Sequence, residues 1–219
     1  MFSLNSMDYK LFIELFSKLS YFPLPGKKAQ LIAAPANRFK NISKNVINLK
    51  RAKKAAVLIY CYPKKEKTHF SLIKRSNYSG VHSGQISLPG GKFDKNDSSL
   101  KETALRECGE ELGINIDLKK DLFALTPLYI PPSNFIVTPY LAYENFYPKF
   151  NPDSREVALH IEISIEELKK LKIEKKILRN EYQNDSLIPC YTHKGHIIWG
   201  ATAMILSEFK SLLASLELN

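Results

Sequence analysis

Between Arg106 and Ile114 the chain reads Arg-Glu-Cys-Gly-Glu-Glu-Leu-Gly-Ile, and this run holds the residue types best suited to chemistry. Glu107, Glu110 and Glu111 stand at i, i+3 and i+4, so on a helix they share one face. Leu105, Cys108 and Leu112 form a second stripe roughly opposite, which suits a helix laid on a core. Three like charges side by side repel by about a few tenths of a kcal/mol per adjacent pair. A hard divalent cation offsets that repulsion, since Mg²⁺ takes oxygen ligands, keeps several waters and is typically shared with substrate phosphates. The three glutamates are therefore candidate metal ligands. For three carboxylates alone, a solvated acidic face is the alternative. A Pro89-Gly90-Gly91 turn one short loop upstream, and Gly113 closing the helix, favour the cation. Glycine lets backbone approach a metal or a phosphate closely.

The same residues resemble the Nudix box: glycine, five residues, Glu, seven residues, Arg-Glu, an apolar residue, one more, Glu-Glu, one residue, Gly, and an apolar residue. Arg106, Glu107, Glu110, Glu111, Gly113 and Ile114 match its second half in register. The first half departs from the pattern. Five residues after Gly91 stands Asp97 rather than Glu, and the loop to Arg106 is one residue longer; counted back from Arg106, the acidic position falls on Ser98. Glu102, at i, i+4 from Arg106, is a further candidate for supporting that arginine. Upstream, Leu72 to Ser76 and Gly84 to Gly91 resemble the signature that precedes the box in coenzyme A pyrophosphatases. Asp94, Asp97, Thr103 to Glu107, and Trp199-Gly200-Ala201-Thr202-Ala203 resemble the same subgroup, whose second signature arginine is replaced here by Gly80.

The resemblance implies a pyrophosphohydrolase that uses Mg²⁺ or Mn²⁺. It casts Glu107, Glu110 and Glu111 as ligands, with the Gly91 carbonyl as a further one and Arg106 orienting the cluster through a carboxylate. Gly90 and Arg75 fall where backbone and guanidinium meet the substrate phosphates, and His82 in the preceding loop is a candidate to bind phosphate or donate a proton. The general base is a box glutamate or a carboxylate of a later loop, such as Glu156. The implied substrate is a nucleoside diphosphate derivative, coenzyme A before others, with 3′,5′-ADP and 4′-phosphopantetheine as products. ADP-ribose, NADH or a modified nucleotide is the alternative, and so is a binding or regulatory module without turnover.

Composition agrees with an enzyme of this kind but would not have found it. The chain has 219 residues, 44% hydrophobic and 25% charged, which is ordinary globular usage. Cys61, Cys108 and Cys190 are widely spaced with no Cys-x-x-Cys pair, which argues for a reducing compartment rather than a disulfide framework. The longest apolar run, Ala55 to Tyr62, is far too short to span a membrane, and the acidic residues at Asp8 and Glu14 do not suit a secretory signal. The expected location is the cytoplasm. The net charge of +10 attracts anions, but no zinc-finger spacing or RNA-binding strand signature accompanies it. Nucleic acid is not an expected partner, and a homodimer stays open.

The elements that must position the glutamates read as an α/β domain over residues 51–219 with an N-terminal helical extension over 1–50. Asp8 to Leu19 has helical spacing, Pro23 and Pro25-Gly26 end it, and 27–50 reads as irregular. A buried strand over Ala55 to Tyr62 turns at Pro63 to Lys65 and pairs with Thr68 to Lys74. A short strand over Gln85 to Leu88 precedes the box helix, capped by Ser98 or Ser99 and closed by Gly113. Strands are expected at Leu122 to Ile130, Ile136 to Glu144 and Val157 to Ile163, and a helix from Ser164 to Leu171 with capping-box spacing. A last hairpin, Ile188 to Thr192 with His196 to Trp199, leads into an amphipathic helix over Thr202 to Leu216. This order matches the α/β/α sandwich with a mixed sheet that the Nudix resemblance implies.

Overall fold

The structure, a computed structural model, describes residues 8–36, 51–77, 82–178 and 187–217. Gly80 and the segment 37–50 lie outside the described residues.

Strand β1 (Lys53–Lys64) decides the layering. Its residues are buried on alternate sides. Ala56, Leu58, Tyr60 and Tyr62 join one apolar cluster, while Ile59 and Cys61 join the other. A strand covered on both faces reads as a continuous apolar run, which is why Ala55 to Tyr62 lacks polar alternation. On one face lies α3 (Leu100–Leu112), through Ala104, Leu105, Cys108 and Leu112. On the other lies α5 (Gly200–Glu217), through Ile205, Phe209 and Leu212, with Phe12 and Leu15 of α1 (Tyr9–Ser17) in the same cluster. The result is the expected α/β/α sandwich.

Strand β2 (Lys67–Arg75) returns antiparallel to β1, with Cys61 opposite Phe70. The turn lies one step later than expected. Lys65 and Glu66 both take positive φ, 49° and 63°, so the hairpin closes as a two-residue turn and Pro63 and Lys64 stay in the strand. β1 then pairs in parallel with β7 (Phe135–Tyr143), and β8 (Val157–Ser164) lies antiparallel along β2 from His69–Ser164 to Arg75–Val157. The expected strand over Leu122 to Ile130 is two short ones, β5 (Phe123–Ala124) and β6 (Leu128–Ile130), each antiparallel to β7.

A second correction concerns the glycines. Gly90 and Gly91 do not form a turn: they lie on β4 (Gly90–Lys92), antiparallel to β1, with Gly90 opposite Val57 and Gly91 opposite Ala56. Strand β3 (Ile86–Ser87) precedes them and pairs with β2. The helix α4 (Ile165–Lys170) has the capping box of Ser164 and Glu167 that its sequence spacing requires. A smaller sheet follows, in which β10 (Leu187–His193) pairs with β11 (His196–Trp199) and also with β9 (Glu174–Ile177). Strand β9 was not expected, because Glu-Lys-Lys-Ile carries no apolar alternation. Nor is residue 27 onward simply irregular: α2 (Gly26–Gln30) and a short 3₁₀ turn at Leu31–Ala33 occupy its start. Among the described residues no helix is long and apolar enough to cross a membrane.

Candidate active site

Helix α3 is set by its ends and by one face. The Ser99 hydroxyl accepts from the Glu102 amide, and Gly113 closes the helix at φ 60°, a left-handed position that glycine takes without penalty. A Cβ at Gly113 would stand 1.7 Å from the Asn151 carbonyl oxygen, because the loop after β7 docks there. Asn151 and Asp153 donate their amides to the carbonyls of Leu112 and Glu111, at 3.0 and 3.2 Å. The last carbonyls of the helix thus hold the loop that leads to Glu156.

The three glutamates share a face by spacing but not an environment. Glu111 is 1% exposed; its carboxylate accepts from the Gly90 amide at 2.8 Å and from Arg75 Nη1 at 3.2 Å. Burial outweighs both partners and pushes its carboxyl up to about 7. Glu107 is half-buried and also raised, by burial ahead of the opposing pull of Arg106. Glu110 points to solvent, with 61% of its side chain exposed. Helix α3 lies against β1 and β4, so the part of the acidic face nearest β4 is covered and the rest is not. Glu156, at the start of β8, adds negative potential to both Glu107 and Glu111.

Arg106 ties this cluster together. Its Nε and Nη2 donate to Asp97 at 2.8 and 3.0 Å, Nη2 also to Glu107 at 3.0 Å, and Nη1 to Glu110 at 2.9 Å. Asp97 is the anchor. It is 7% exposed, accepts from the Thr103 hydroxyl and the Asp94 amide, and the Arg106 guanidinium holds its carboxyl far below the usual carboxylate range. Glu102 does not support Arg106 by a hydrogen bond; its carboxylate turns back to the Ser98 amide and hydroxyl at the helix start. Asp97 therefore partners Arg106 despite the longer loop. Of the two counts the sequence left open, the five-residue step from Gly91 leads to the carboxylate that meets Arg106, while Ser98 bonds Glu102.

Other expected site residues are grouped less tightly. Arg75 reaches the cluster through Glu111. His82 is held by its own turn, Nδ1 against Gln85 Oε1 at 3.2 Å, and Gln85 in turn accepts the Arg75 amide at 3.0 Å, so His82 follows this end of β2 at one remove.

Two features of this arrangement suit a divalent cation. Glu111 is a buried carboxylate whose charge the surrounding donors do not fully offset. Gly91 leaves the space that Glu107 occupies: a Cβ there would stand 2.2 Å from Glu107 Oε2. Backbone carbonyl and carboxylate oxygens are the hard donors that such a cation takes. As arranged, no three acidic, imidazole or thiol groups among the described residues converge closely enough to hold a metal, since Arg106 draws Glu110 and Glu107 toward itself.

Comparison with known proteins identifies the family. The model of the NUDIX domain matches residues 52–181. A protein of Pectobacterium atrosepticum described as "Uncharacterized Nudix hydrolase NudL" is 33% identical over 158 residues, covering 71% of this chain and 80% of its own. Its namesake from Yersinia enterocolitica is 36% identical over 152 residues, covering 69% and 77%. Among solved structures, a MutT/nudix family protein from Enterococcus faecalis superposes with a TM-score of 0.52 at 15% identity, over 88% of this chain and 76% of that one, and shares the fold. Nudix hydrolases generally work with divalent metal ions. The chain belongs to the Nudix family of pyrophosphohydrolases.

Proposed function

We propose that the enzyme hydrolyses the diphosphate bond of coenzyme A or a derivative of it, with Mg²⁺ or Mn²⁺, giving 3′,5′-ADP and 4′-phosphopantetheine. The observation that carries this reading is the meeting of two distant stretches that share the subgroup resemblance. The Thr202 hydroxyl, within Trp199 to Ala203, donates to the Ile86 carbonyl within Gly84 to Gly91, at 3.1 Å. Both stretches thereby support the strands that lead into Gly90 and Gly91.

Glu107, Glu110, Glu111 and the Gly91 carbonyl would hold the cation, which when bound would supply neutralisation of diphosphate oxygens and a lowered pKa of a water. Arg106 positions Glu107 and Glu110 from its anchor on Asp97. Glu156 takes the proton of the attacking water on a carboxylate oxygen. Arg75 spans Glu111 and the substrate phosphate, where a guanidinium holds oxygens in two charge-assisted hydrogen bonds. His82, linked through Gln85 to the Arg75 end of β2, is the candidate to meet the same phosphate.

A comparison of kcat/KM for coenzyme A, dephospho-coenzyme A, ADP-ribose and NADH tests the substrate. Coenzyme A should lead, and Arg75→Ala should lower its kcat/KM at least about tenfold, the equivalent of about 1.4 kcal/mol. If Arg75 meets the 3′-phosphate, the variant should lose less on dephospho-coenzyme A. An equal loss on all four would make Arg75 a support for Glu111 alone. A clear lead for ADP-ribose in the wild type would overturn the coenzyme A assignment.

A further inference from the structure

Four of the five histidines of the chain line a single cleft. It measures about 630 Å³, within the size range of small-molecule pockets, and opens where the β1–β2 hairpin, β8, α4 and the β10–β11 turn meet. His69 comes from β2, His160 from β8, and His193 and His196 from the β10–β11 hairpin. The cleft is separate from the carboxylate cluster. Along β2, His69 is six residues from Arg75, about 20 Å at roughly 3.3 Å per residue.

Its charge is basic. Four lysines face three glutamates. Lys64 pairs with Glu162, Lys67 with Glu166, and Lys194 with Glu167 at 3.1 Å. Lys170 has no ion-pair partner among the described residues. His193 adds a second unmet group: it is 5% exposed, and its Nε2 has no hydrogen-bond partner among the described residues; Glu166 Oε1 also lacks one, while its other oxygen is held by Lys67. A buried polar nitrogen without a partner costs free energy that a ligand oxygen would recover. The imidazoles are not set for a metal instead. No three histidines, cysteines or carboxylates among the described residues stand close enough to share one.

We propose that this cleft is an anion site, apart from the carboxylate cluster, that takes the phosphate group of a small phosphorylated molecule. Lys170 and His193 are its principal contacts, and Lys194 on the turn lines the same cleft. Protonation of His160 and His193 adds positive charge that the three glutamates do not balance, so the anion binds more tightly as pH falls. Burial holds His160 and His193 below the usual histidine value, which puts their part of this gain at the acidic end of the range.

The test follows the histidine side-chain NMR signals of the full chain in the presence of EDTA, which keeps the divalent-cation site out of the measurement. Inorganic phosphate is one probe. Sulfate is the other, because it keeps two negative charges across the range and so isolates the contribution of the protein. The His193 and His196 signals should shift saturably with both ions, and sulfate should bind at least about fivefold more tightly at pH 5 than at pH 8. Lys170→Ala combined with Lys194→Ala should weaken binding at least about tenfold and leave metal-dependent hydrolysis within about twofold of wild type. His193→Gln, a buried change, should weaken it too; the surface pair keeps the test decisive if that variant does not fold. Histidine signals that stay still up to about 20 mM of either ion, or the same midpoint in wild type and the lysine pair variant, would overturn the proposal. So would a response to Zn²⁺ with none to phosphate or sulfate, which would make the cleft a metal site.

Discussion

The two ends of the β2–β8 ladder carry opposite chemistry on one scaffold. At the Arg75–Val157 end, Glu111 and Glu107 lie close to β4 under the negative potential of Glu156, and burial rather than pairing sets the state of Glu111. At the His69–Ser164 end, lysines and glutamates are largely matched in pairs. The acidic end therefore departs from what stability alone would select, since buried like charges repel and lose solvation. At the basic end only a remainder is unmet, Lys170 and the buried Nε2 of His193. Charge that is buried and left in excess marks the place where something else must bind.

The largest expected effect lies at the acidic end. Glu111→Gln and Glu110→Gln each keep the shape of the side chain and remove its charge. Each should lower metal-dependent kcat at least about a hundredfold, or about 2.7 kcal/mol of barrier. The thermal midpoint in EDTA should stay near wild type or rise, because the charge removed was repelled by its neighbours. Full hydrolysis in both variants would remove the metal-ligand assignment, and with it the contrast between the two ends.

Next in size is the hold on Arg106. Asp97→Asn leaves a side chain of the same shape that cannot offer two charged acceptors to the guanidinium. Activity should fall by about 10- to 100-fold, the range for supporting residues of metal sites. Glu102→Gln should change it less than about twofold, because Glu102 bonds Ser98 instead. The reverse order of effects would restore Glu102 as the support of Arg106. A shift of the metal concentration needed for half-maximal rate in Asp97→Asn, at an unchanged thermal midpoint, would separate positioning from folding.

The box helix was legible in the sequence because everything that defines it is local: Ser99 at its start, Gly113 at its end, and Leu105, Cys108 and Leu112 at one face. What helix spacing could not supply was depth. Glu110 and Glu111 are neighbours in sequence, yet one is largely exposed and the other buried, and only the docking of α3 on β1 and β4 decides which. The pairing of Gly90 and Gly91 with β1 was likewise invisible, since register across more than thirty residues leaves no local trace. Gly90 takes φ +146°, and a Cβ there would stand 2.3 Å from the Ala56 carbonyl oxygen, so the glycine answers to a strand rather than a turn. The histidine cleft lay further still from sequence view. Its imidazoles come from four strands, β2, β8, β10 and β11, which no local pattern brings together.

The smallest expected effect is a slope of stability with pH, and it compares the buried charge with its surroundings directly. The Glu111 carboxyl is raised from 4.5 to about 7 by burial, ahead of the opposing Gly90 amide and Arg75. The folded chain therefore binds this proton more readily than the unfolded chain. The stability it contributes is full below about pH 4.5 and is lost as pH rises through about 7. At about 1.4 kcal/mol per unit the loss has a ceiling of roughly 3 kcal/mol; relaxation around the carboxylate brings the expected loss to the order of 1 kcal/mol, or about 2–4 °C in a chain of this size. Asp97, held low by Arg106, acts in the opposite sense and loses its contribution as pH falls. The informative quantity is thus the difference between wild type and Glu111→Gln in EDTA, from pH 5 to pH 8, by calorimetry. Wild type should lose ground to the variant as pH rises, and added Mg²⁺ at pH 8 should reverse that in wild type alone. Parallel curves would mean that Glu111 is no more costly to charge than an ordinary surface carboxylate, and the contrast between the two ends of the ladder would then rest on position rather than energy.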